Sequence, residues 1–323
     1  MLRATLAGAA ILAVTLALIP FQWISVALRL PLRRRIPVFY HRLLCALMGV
    51  RIHVMGARSD QHPLLLVANH SSWLDVPIIT ALAPVVFVAR GDMASWPLFG
   101  LLARLQRSVF VDRTRRLKTG EVNAEIAQRL ADGDPVVLFA EGTSSDGNRV
   151  LPFRTALIGA ASDALTQVGQ IGQVVVQPLS IAHVGLDGLP MGRRHRPLTA
   201  WYGDMDLVPH LIGVLRRGAF DVVVSWGEPV AYDARSDRKA VARTLESRVR
   251  RLTAAALRGG LPPAPRPPAL RPAAAGHSFL PGKTLRGAQS RNGHRDNGIA
   301  EAPATLEPHP EPERPGPTST QRA

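Results

Sequence analysis

Residues Leu64–Asp75 read LLLVANHSSWLD, an apolar run followed by a short polar turn. The continuous apolar content of Leu64–Ala68 is typical of a buried strand. A helix is predicted from about Ser72 to Leu82, so the polar residues lie where a strand ends and a helix begins. Binding and catalytic residues of open α/β sheets collect at such strand ends. This stretch therefore indicates both an α/β fold and the place of its site.

Strand-like and helix-like segments alternate on both sides of this stretch, within residues 36–259. Each predicted strand is a short apolar run, and apolar residues recur at helical spacing between them, as Val122, Ile126 and Leu130 do. We predict an α/β fold with a mostly parallel buried sheet flanked by helices. The other predicted strands are 85–89, 108–111, 136–140, 174–181 and 220–226, and the other helices are 96–105, 118–130, 156–166, 210–217 and 239–257.

The N-terminal segment Ala4–Leu28 contains no charged residue, and Arg33, Arg34 and Arg35 follow it closely. About 20 apolar residues are enough to cross a bilayer. We therefore predict a membrane anchor with a basic collar in residues 1–35, and a cleaved signal peptide is the alternative. The basic cluster predicts that the side of the membrane on which residues 36–259 follow is the cytoplasmic side. Pro20 and Gln22 leave open whether the segment spans the membrane or lies within it.

Residues 260–323 hold 13 of the 27 prolines and lack apolar periodicity, which predicts a disordered tail. The chain has a net charge of +15 and one cysteine, Cys45, within an apolar run. A single cysteine excludes an internal disulfide and a cysteine-rich metal site. The positive charge suits an anionic partner, which could be nucleic acid, a membrane surface or an anionic cofactor. Aromatic residues are only 5% and no nucleic-acid-binding module is present, so we expect no nucleic-acid partner.

Two groups of polar residues carry the candidate chemistry, and an arginine just past a predicted strand, as in Arg107–Arg113, can bind phosphate or carboxylate. His70 can remove a proton near neutral pH, and Asp75 can orient its ring. Read alone, this pair also fits a helix cap beside a surface histidine. Glu141-Gly142-Thr143 follows a second strand and can form a tight turn, with Glu141 as a hydrogen-bond acceptor or brace. Ser71 and Ser72 are rival nucleophiles beside His70.

Four ordered segments, NHSSWLD, RSVFVDR, FAEGTSS and VQPLSI, resemble the four motifs of the glycerolipid acyltransferase family, which includes 1-acylglycerol-3-phosphate acyltransferases. The resemblance covers about residues 35–230 and identifies 36–259 as an acyltransferase domain. It implies that the histidine of the first motif is the general base and that its aspartate is the orienting partner. It also implies substrate binding by the second and third motifs. The residues concerned are His70 and Asp75 for catalysis, Arg113, Glu141, Gly142 and Thr143 for substrate, and Asn69 and Pro178 for motif structure.

Two positions depart from the family pattern, since Ala140 and Ser144 stand where proline and arginine are usual. That arginine would donate hydrogen bonds to a phosphate group, so its absence favours an acceptor lipid without phosphate. The stretch Glu141–Arg154, EGTSSDGNRVLPFR, is similar to the bacterial subgroup that acylates lyso-ornithine lipid. Arg149 and Arg154 are possible substitutes for the missing arginine in substrate binding.

The resemblance predicts an O-acyltransferase of ornithine lipid biosynthesis. It would move a fatty acyl group from acyl carrier protein or acyl-coenzyme A to the free hydroxyl of a lysolipid, lyso-ornithine lipid first. An alternative is a 1-acyl-sn-glycerol-3-phosphate acyltransferase that makes phosphatidic acid. Two alternatives from other classes are a non-catalytic membrane lipid-binding protein and a hydrolase that releases the acyl group to water. The resemblance implies neither a metal nor a bound cofactor.

Overall fold

A computed structural model describes residues 1–111, 119–155, 174–233 and 236–259. The strands are β1 Val50–Met55, β2 Leu64–Ala68, β3 Val86–Arg90, β4 Val109–Val111, β5 Val136–Phe139, β6 Val174–Leu186, β7 Leu189–Pro190, β8 Phe220–Trp226 and β9 Val230–Tyr232. The helices are α1 Leu2–Ala27, α2 Leu32–Met48, α3 Asp75–Leu82, α4 Phe99–Leu105, α5 Thr119–Ala131, α6 Leu207–Arg217 and α7 Arg238–Arg258. Two short 3₁₀ turns lie at Gly91–Ser95 and Arg196–Leu198. The predicted helix 156–166 and the predicted disordered tail 260–323 lie outside the described residues.

The strands form one sheet in the order β1-β8-β6-β2-β5-β3-β4, with β7 and β9 paired to β6. All neighbours along this path are parallel except β8 and β6, which are antiparallel. The prediction of a mostly parallel sheet flanked by helices is confirmed. Strands β2 and β8 have the predicted bounds, whereas β6 continues past the predicted end at Ile181. The antiparallel partner β8 extends β6, because it pairs with it as far as Leu186.

Strand β2 lies in the middle of the sheet and is buried on both faces, as its uninterrupted apolar sequence predicts. On one face, Leu64 and Leu66 share a core cluster with Ile78 of α3. On the other face, Leu65 shares a second cluster with Ile126 of α5. The helices therefore cover both sides of the strand that leads into the candidate site.

The parallel pairing of β2 with its two neighbours sets the position of the site. Ala68, the last residue of β2, is level with Phe139 at the end of β5 and with Leu179 in β6. The residues that follow β2 and β5 therefore emerge side by side at one edge of the sheet. Strand β6 continues past this edge and runs beneath the turn that follows β2.

Helix α2 and strand β1 have no counterpart in the predicted elements. Helix α2 includes Arg33–Arg35 and Pro37, and strand β1, at the sheet edge, buries only Val50 and His53. Gly49 joins the two in a left-handed conformation with φ 78°, and a Cβ there would lie 2.7 Å from the backbone nitrogen of Ala219. Glycine is therefore required at this junction. The proposed domain boundary between residues 35 and 36 falls inside α2 and stays a prediction.

Helix α1 is long and apolar enough, by length and composition, to cross a membrane, with a mean hydropathy of 2.1. It also packs on the domain, because the side-chain amide of Gln22 donates to the carbonyls of Leu105 at 2.8 Å and Arg33 at 3.1 Å. At its other end, Arg3 donates to the carbonyls of Met48 and Leu215. Large apolar side chains on the remaining face are exposed, which suggests membrane association. They include Leu6, Leu12, Leu16, Phe21, Trp23 and Leu28.

Candidate active site

His70 and Asp75 meet at the turn between β2 and α3. The Nδ1 atom of His70 lies 2.9 Å from Oδ2 of Asp75, the first residue of α3. The same oxygen accepts the backbone amides of Ser71 at 2.7 Å and Ser72 at 3.0 Å. Asp75 thus holds the turn before α3 and also binds the imidazole. The sequence offered a helix cap and a ring partner as alternatives. The structure shows the ring partner, whereas Leu74 is the N-cap residue of α3 and no side chain among the described residues caps the helix.

The ring of His70 is held with its second nitrogen available. Asp75 is fully buried and the His70 side chain is 21% exposed. Because Nδ1 faces a carboxylate, the proton of the neutral ring lies on Nδ1, and Nε2 carries the lone pair. The ring of Phe139 stacks on the imidazole at 4.0 Å with an angle of 19° between the planes. This arrangement has the geometry of a general base with an oriented ring.

A second histidine contacts the same carboxylate. The Nε2 atom of His183, in β6, lies 3.4 Å from Oδ1 of Asp75, and His183 is 4% exposed. Burial acts to raise the pKa of Asp75, but the hydrogen bonds from His183 and His70 outweigh it and hold that pKa below its usual range. Asp75 is therefore ionised at neutral pH and can stabilise a protonated His70. No local sequence pattern pointed to His183, which is 108 residues from Asp75.

Glu141 braces the backbone of His70 from the neighbouring strand end. Its Oε1 accepts the amide of His70 at 3.0 Å, and its Oε2 accepts the amide of Leu151 at 3.1 Å. Glu141 is 2% exposed, and burial raises its pKa to about 8, aided by the negative charge of Asp75. Of the two sequence interpretations, the contacts are those of a brace. Direct contact of Glu141 with substrate stays a prediction.

The turn after β5 follows the predicted form. Gly142 has φ 72°, and its amide donates to the carbonyl of Phe139 at 3.1 Å. Thr143 is exposed beside it, and the amide of Ser145 donates to the carbonyl of His70 at 2.9 Å. The third motif is therefore bound directly to the backbone of the first. Substrate binding by Gly142 and Thr143 stays a prediction.

Asn69 and Pro178 lie in the pairing of β2 with β6. The side chain of buried Asn69 donates to the carbonyl of Ile181 and accepts its amide, both at 2.9 Å. It thereby extends the strand pairing by one residue past the end of β2. Pro178 lies where β6 changes partner, after the residues that pair with β9 and before those that pair with β8. A missing N–H is tolerated at such a junction.

The predicted cationic residues lie partly outside the described part of the chain. Arg113 lies outside the described residues, and Arg149 and Arg154 are exposed on the segment after the turn. The hydrogen bonds found for the two serine hydroxyls do not involve the imidazole. Ser71 Oγ is buried and has no hydrogen-bond partner among the described residues, while Ser72 Oγ accepts the amide of Leu74. This geometry gives no support to a serine nucleophile.

An apolar cavity of about 220 Å³ lies between the helices and β3, and the sequence patterns did not reveal it. The cavity is close to the His70–Asp75 pair, because Phe139 stacks on His70 and also on Phe87, which lines the cavity. Its walls come from α1, α2, α3, β3, the 3₁₀ turn at Gly91–Ser95 and α4, and because these six elements are separate in the sequence no local motif marks the walls. They include Leu18, Ile19, Leu44, Val76, Phe87 and Leu102. Within the described ranges, no cluster of His, Cys, Asp or Glu could hold a metal ion.

Comparisons with known proteins identify the family of the chain. A model of the family described as Acyltransferase matches residues 49–182. The chain is 51% identical over 258 residues to the lyso-ornithine lipid O-acyltransferase of Brucella abortus, covering 80% of this chain and 96% of that protein. It is 50% identical over 257 residues to the enzyme of the same name from Rhizobium meliloti, covering 80% and 88%.

The fold is also that of a solved structure. The crystal structure of the 1-acyl-sn-glycerophosphate acyltransferase from Thermotoga maritima matches with a TM-score of 0.54 and 21% identity. The match covers 78% of this chain and 95% of that one. A likeness at this identity supports the fold, and the relatives near 50% identity support the family. The chain belongs to the acyltransferase family and is an acyltransferase.

Proposed function

We propose that the protein transfers a fatty acyl group from an acyl thioester to the free hydroxyl of lyso-ornithine lipid, in ornithine lipid biosynthesis. The observation that carries the reaction type is the His70–Asp75 pair, with Nδ1 on the carboxylate and the ring partly exposed. The acceptor is inferred from the relatives near 50% identity, both of which carry that activity in their names.

In the proposed reaction, Nε2 of His70 takes the proton of the acceptor hydroxyl while its oxygen attacks the thioester carbon. Asp75 stabilises the imidazolium that forms. Amides or side chains near Glu141–Thr143 stabilise the negative oxygen of the tetrahedral intermediate. The carbon–sulfur bond then breaks, the thiolate leaves and His70 returns the proton to it. No acyl-enzyme forms in this reaction. This agrees with the serine hydroxyls, since Ser71 Oγ is buried with no hydrogen-bond partner among the described residues and Ser72 Oγ accepts the amide of Leu74.

The apolar cavity is the proposed chamber for the acyl chain. Its lining is mostly apolar, and transfer of a fatty chain from water into it is favourable. Phe87 lines the cavity and lies one aromatic ring from His70, so a chain in the cavity would place its carbonyl end near Nε2. The chamber also lies against α1, whose opposite face is exposed and apolar. A lipid chain could therefore enter it from a membrane.

The acceptor headgroup is proposed to bind beside the third motif. Lyso-ornithine lipid carries a carboxylate and an amine and no phosphate. Ser144 replaces the arginine that the family uses in phosphate binding, which supports such an acceptor. Arg113, Arg149 and Arg154 are the proposed cations for its carboxylate, since arginine binds carboxylates in a bidentate manner. A phosphate-bearing lysolipid is the second candidate, favoured by the same arginines.

The acceptor is identified by giving the detergent-solubilised full chain one acyl donor and either lyso-ornithine lipid or lysophosphatidic acid. Mass spectrometry of the lipid extract measures each diacyl product. We expect kcat/KM for lyso-ornithine lipid to exceed that for lysophosphatidic acid at least tenfold. The reverse preference would replace the proposal with phosphatidic acid synthesis. Release of free fatty acid with neither acceptor acylated would indicate a hydrolase.

The donor is proposed to be acyl carrier protein or acyl-coenzyme A, both anionic thioester carriers that suit the positive chain. Parallel assays with the same acyl group on each carrier measure the two values of kcat/KM. If transfer occurred only with a donor that is not a thioester of either carrier, such as a phospholipid, this part of the proposal would be contradicted.

The protein is proposed to sit on the bacterial inner membrane with its catalytic domain in the cytoplasm. Cys45 is the only cysteine and is buried, so labelling by a membrane-impermeant maleimide has little background. Thr244→Cys would place a thiol on the exposed face of α7. We expect no labelling in intact spheroplasts and full labelling after lysis. Equal labelling before and after lysis would contradict the orientation.

A further inference from the structure

We propose that His183 is a positioning residue, which holds the Asp75 carboxylate in the orientation that serves His70. The inference rests on the proposed role of His70 as general base. It concerns a residue outside the four motifs, carried on the part of β6 that extends beyond the end of β2.

The contacts divide the two oxygens of Asp75 between two histidines. Oδ2 accepts His70 and the amides of Ser71 and Ser72, whereas Oδ1 faces Nε2 of His183 at 3.4 Å. The carboxylate is fully buried, so water cannot replace a lost donor on Oδ1. A contact on Oδ1 opposes rotation of the carboxylate and keeps Oδ2 directed at the imidazole. The 3.4 Å separation is long for a hydrogen bond, so we expect a moderate effect.

Burial distinguishes the roles of the two histidines. His183 is 4% exposed and its Nδ1 is buried with no hydrogen-bond partner among the described residues. The acceptor hydroxyl can therefore reach His70, which is 21% exposed, and not His183. His183 must act through Asp75 and not on the substrate.

The charges around His183 determine the expected pH effect. Asp75 faces it from α3 and His210 faces it from α6, while His70 and Glu141 lie beyond Asp75. Loss of the donor on Oδ1 leaves more of the carboxylate charge to His70. The carboxylate then stabilises the protonated imidazole of His70 more strongly, whether His183 is neutral or protonated in the wild type. The base must be unprotonated to act, so the acidic limb of the rate profile moves to higher pH.

Asparagine and glutamine at position 183 separate positioning from packing. The amide nitrogen of Gln reaches about the place of Nε2, and that of Asn ends near Nδ1, so only Gln can contact Oδ1. His53 supplies a matched control in the same sheet, since it is also buried and its Nε2 lies 3.0 Å from Oδ1 of Asp221. Asp221 keeps two hydrogen bonds from Arg51 when His53 is changed.

The experiment measures kcat, KM for the acceptor, the pH dependence of kcat/KM and Tm for His183→Asn, His183→Gln and His53→Asn. We expect His183→Asn to lower kcat about tenfold, the effect of losing a hydrogen bond to a charged group, with KM little changed. Its acidic limb should move to higher pH. His183→Gln should recover most of kcat and the original limb, and His53→Asn should move neither.

Other outcomes overturn the inference. If both position-183 variants lose activity in proportion to their fall in Tm and the acidic limb stays in place, His183 only packs. If both match the wild type, the contact with Asp75 has no function. The proposed function is judged separately, by the wild type and His70→Ala in the same assay. A wild type without acyl transfer overturns both the proposed function and the role of His183. An active wild type, with pH profiles of the position-183 variants that do not move, overturns only the role of His183.

Discussion

The backbone amide of His70 donates to Oε1 of Glu141 at 3.0 Å, across the ends of the neighbouring strands β2 and β5. The other oxygen of Glu141 binds the amide of Leu151. One buried carboxyl group thus connects the two turns that form the site. Glu141 is held in an environment that favours its neutral form, with a pKa of about 8 against an ordinary value of 4.5. Protonation of Glu141 avoids a second negative charge beside Asp75.

Glu141 makes the stability of the fold depend on pH. Between about 4.5 and about 8 the folded chain keeps a proton on Glu141 that the unfolded chain releases. The free energy of unfolding therefore falls as pH rises through this window. Glu141→Gln cannot titrate, so we expect a flatter curve than for the wild type, as measured by denaturant unfolding at several pH values.

The comparison between the two proteins isolates Glu141. The pKa of Asp75 is lowered from 3.8, so its titration changes the stability only at pH values below this window. His210, whose pKa is lowered mainly by burial, is present in both proteins, so its contribution cancels in the difference. Parallel curves for Glu141→Gln and the wild type would show that Glu141 is ionised in the folded state, contrary to this account.

Asp75→Asn tests the orienting carboxylate. The amide oxygen of Asn can keep the hydrogen bonds from Ser71, Ser72 and His70, so the start of α3 should be retained. The charge that stabilises protonated His70 is lost, and we expect kcat to fall on the order of 10³-fold or more. Steady-state rates and Tm are measured together. A large fall in Tm with activity lost in step would instead make Asp75 a structural residue.

Asn69→Ala tests the side-chain extension of the β2–β6 pairing. Both backbone groups of buried Ile181 lose their partner, which should lower the free energy of unfolding by about 2–4 kcal/mol. Gln128→Ala removes one exposed amide contact, to Asp132, and serves as the control. Denaturant titration compares the two. Equal effects of the two substitutions would contradict the role given to Asn69.

Ala103→Phe tests the cavity as the acyl chamber. Ala103 lies on α4 and lines the cavity, so a phenyl ring there reduces the space for a chain. We expect the ratio of kcat/KM for a long-chain donor to that for a short-chain donor to fall at least tenfold, since each methylene in a fitted pocket contributes about 1–3 kcal/mol. Ala103→Ser is the control of similar size. An unchanged ratio in Ala103→Phe would place the chain elsewhere.

The sequence predicted the central elements of the fold because their apolar runs are unbroken. Strands β2 and β8 have the predicted bounds, and α3, α5 and α7 begin or end within a few residues of the prediction. Strand β1 was missed because only two of its six residues, Val50 and His53, are buried, as at a sheet edge. Helix α2 was missed because Arg33–Arg35 and Pro37 weaken its helical pattern.

The site was predictable where it is local in sequence. His70 and Asp75 are five residues apart, and their contact follows from one turn. Glu141 could be assigned to the site by its motif, but its contact with the amide of His70 depends on the register of β2 and β5. The contact of His183 with Asp75 depends on how far β6 extends past β2. The cavity depends on the packing of α1 and α2, which no motif encodes.

The central claim, that His70 is the base of an acyl transfer, is tested most directly by the acylation rate of His70→Ala. His62→Ala is the control, because His62 is exposed and precedes β2 at the end of the strand opposite the site. Both proteins are given a radiolabelled acyl thioester and lyso-ornithine lipid at pH 7.5, and folding is checked by Tm. We predict a fall in kcat of about 10³-fold or more for His70→Ala and a rate within about twofold of the wild type for His62→Ala. A folded His70→Ala protein that transfers the acyl group at a near-normal rate would contradict the account.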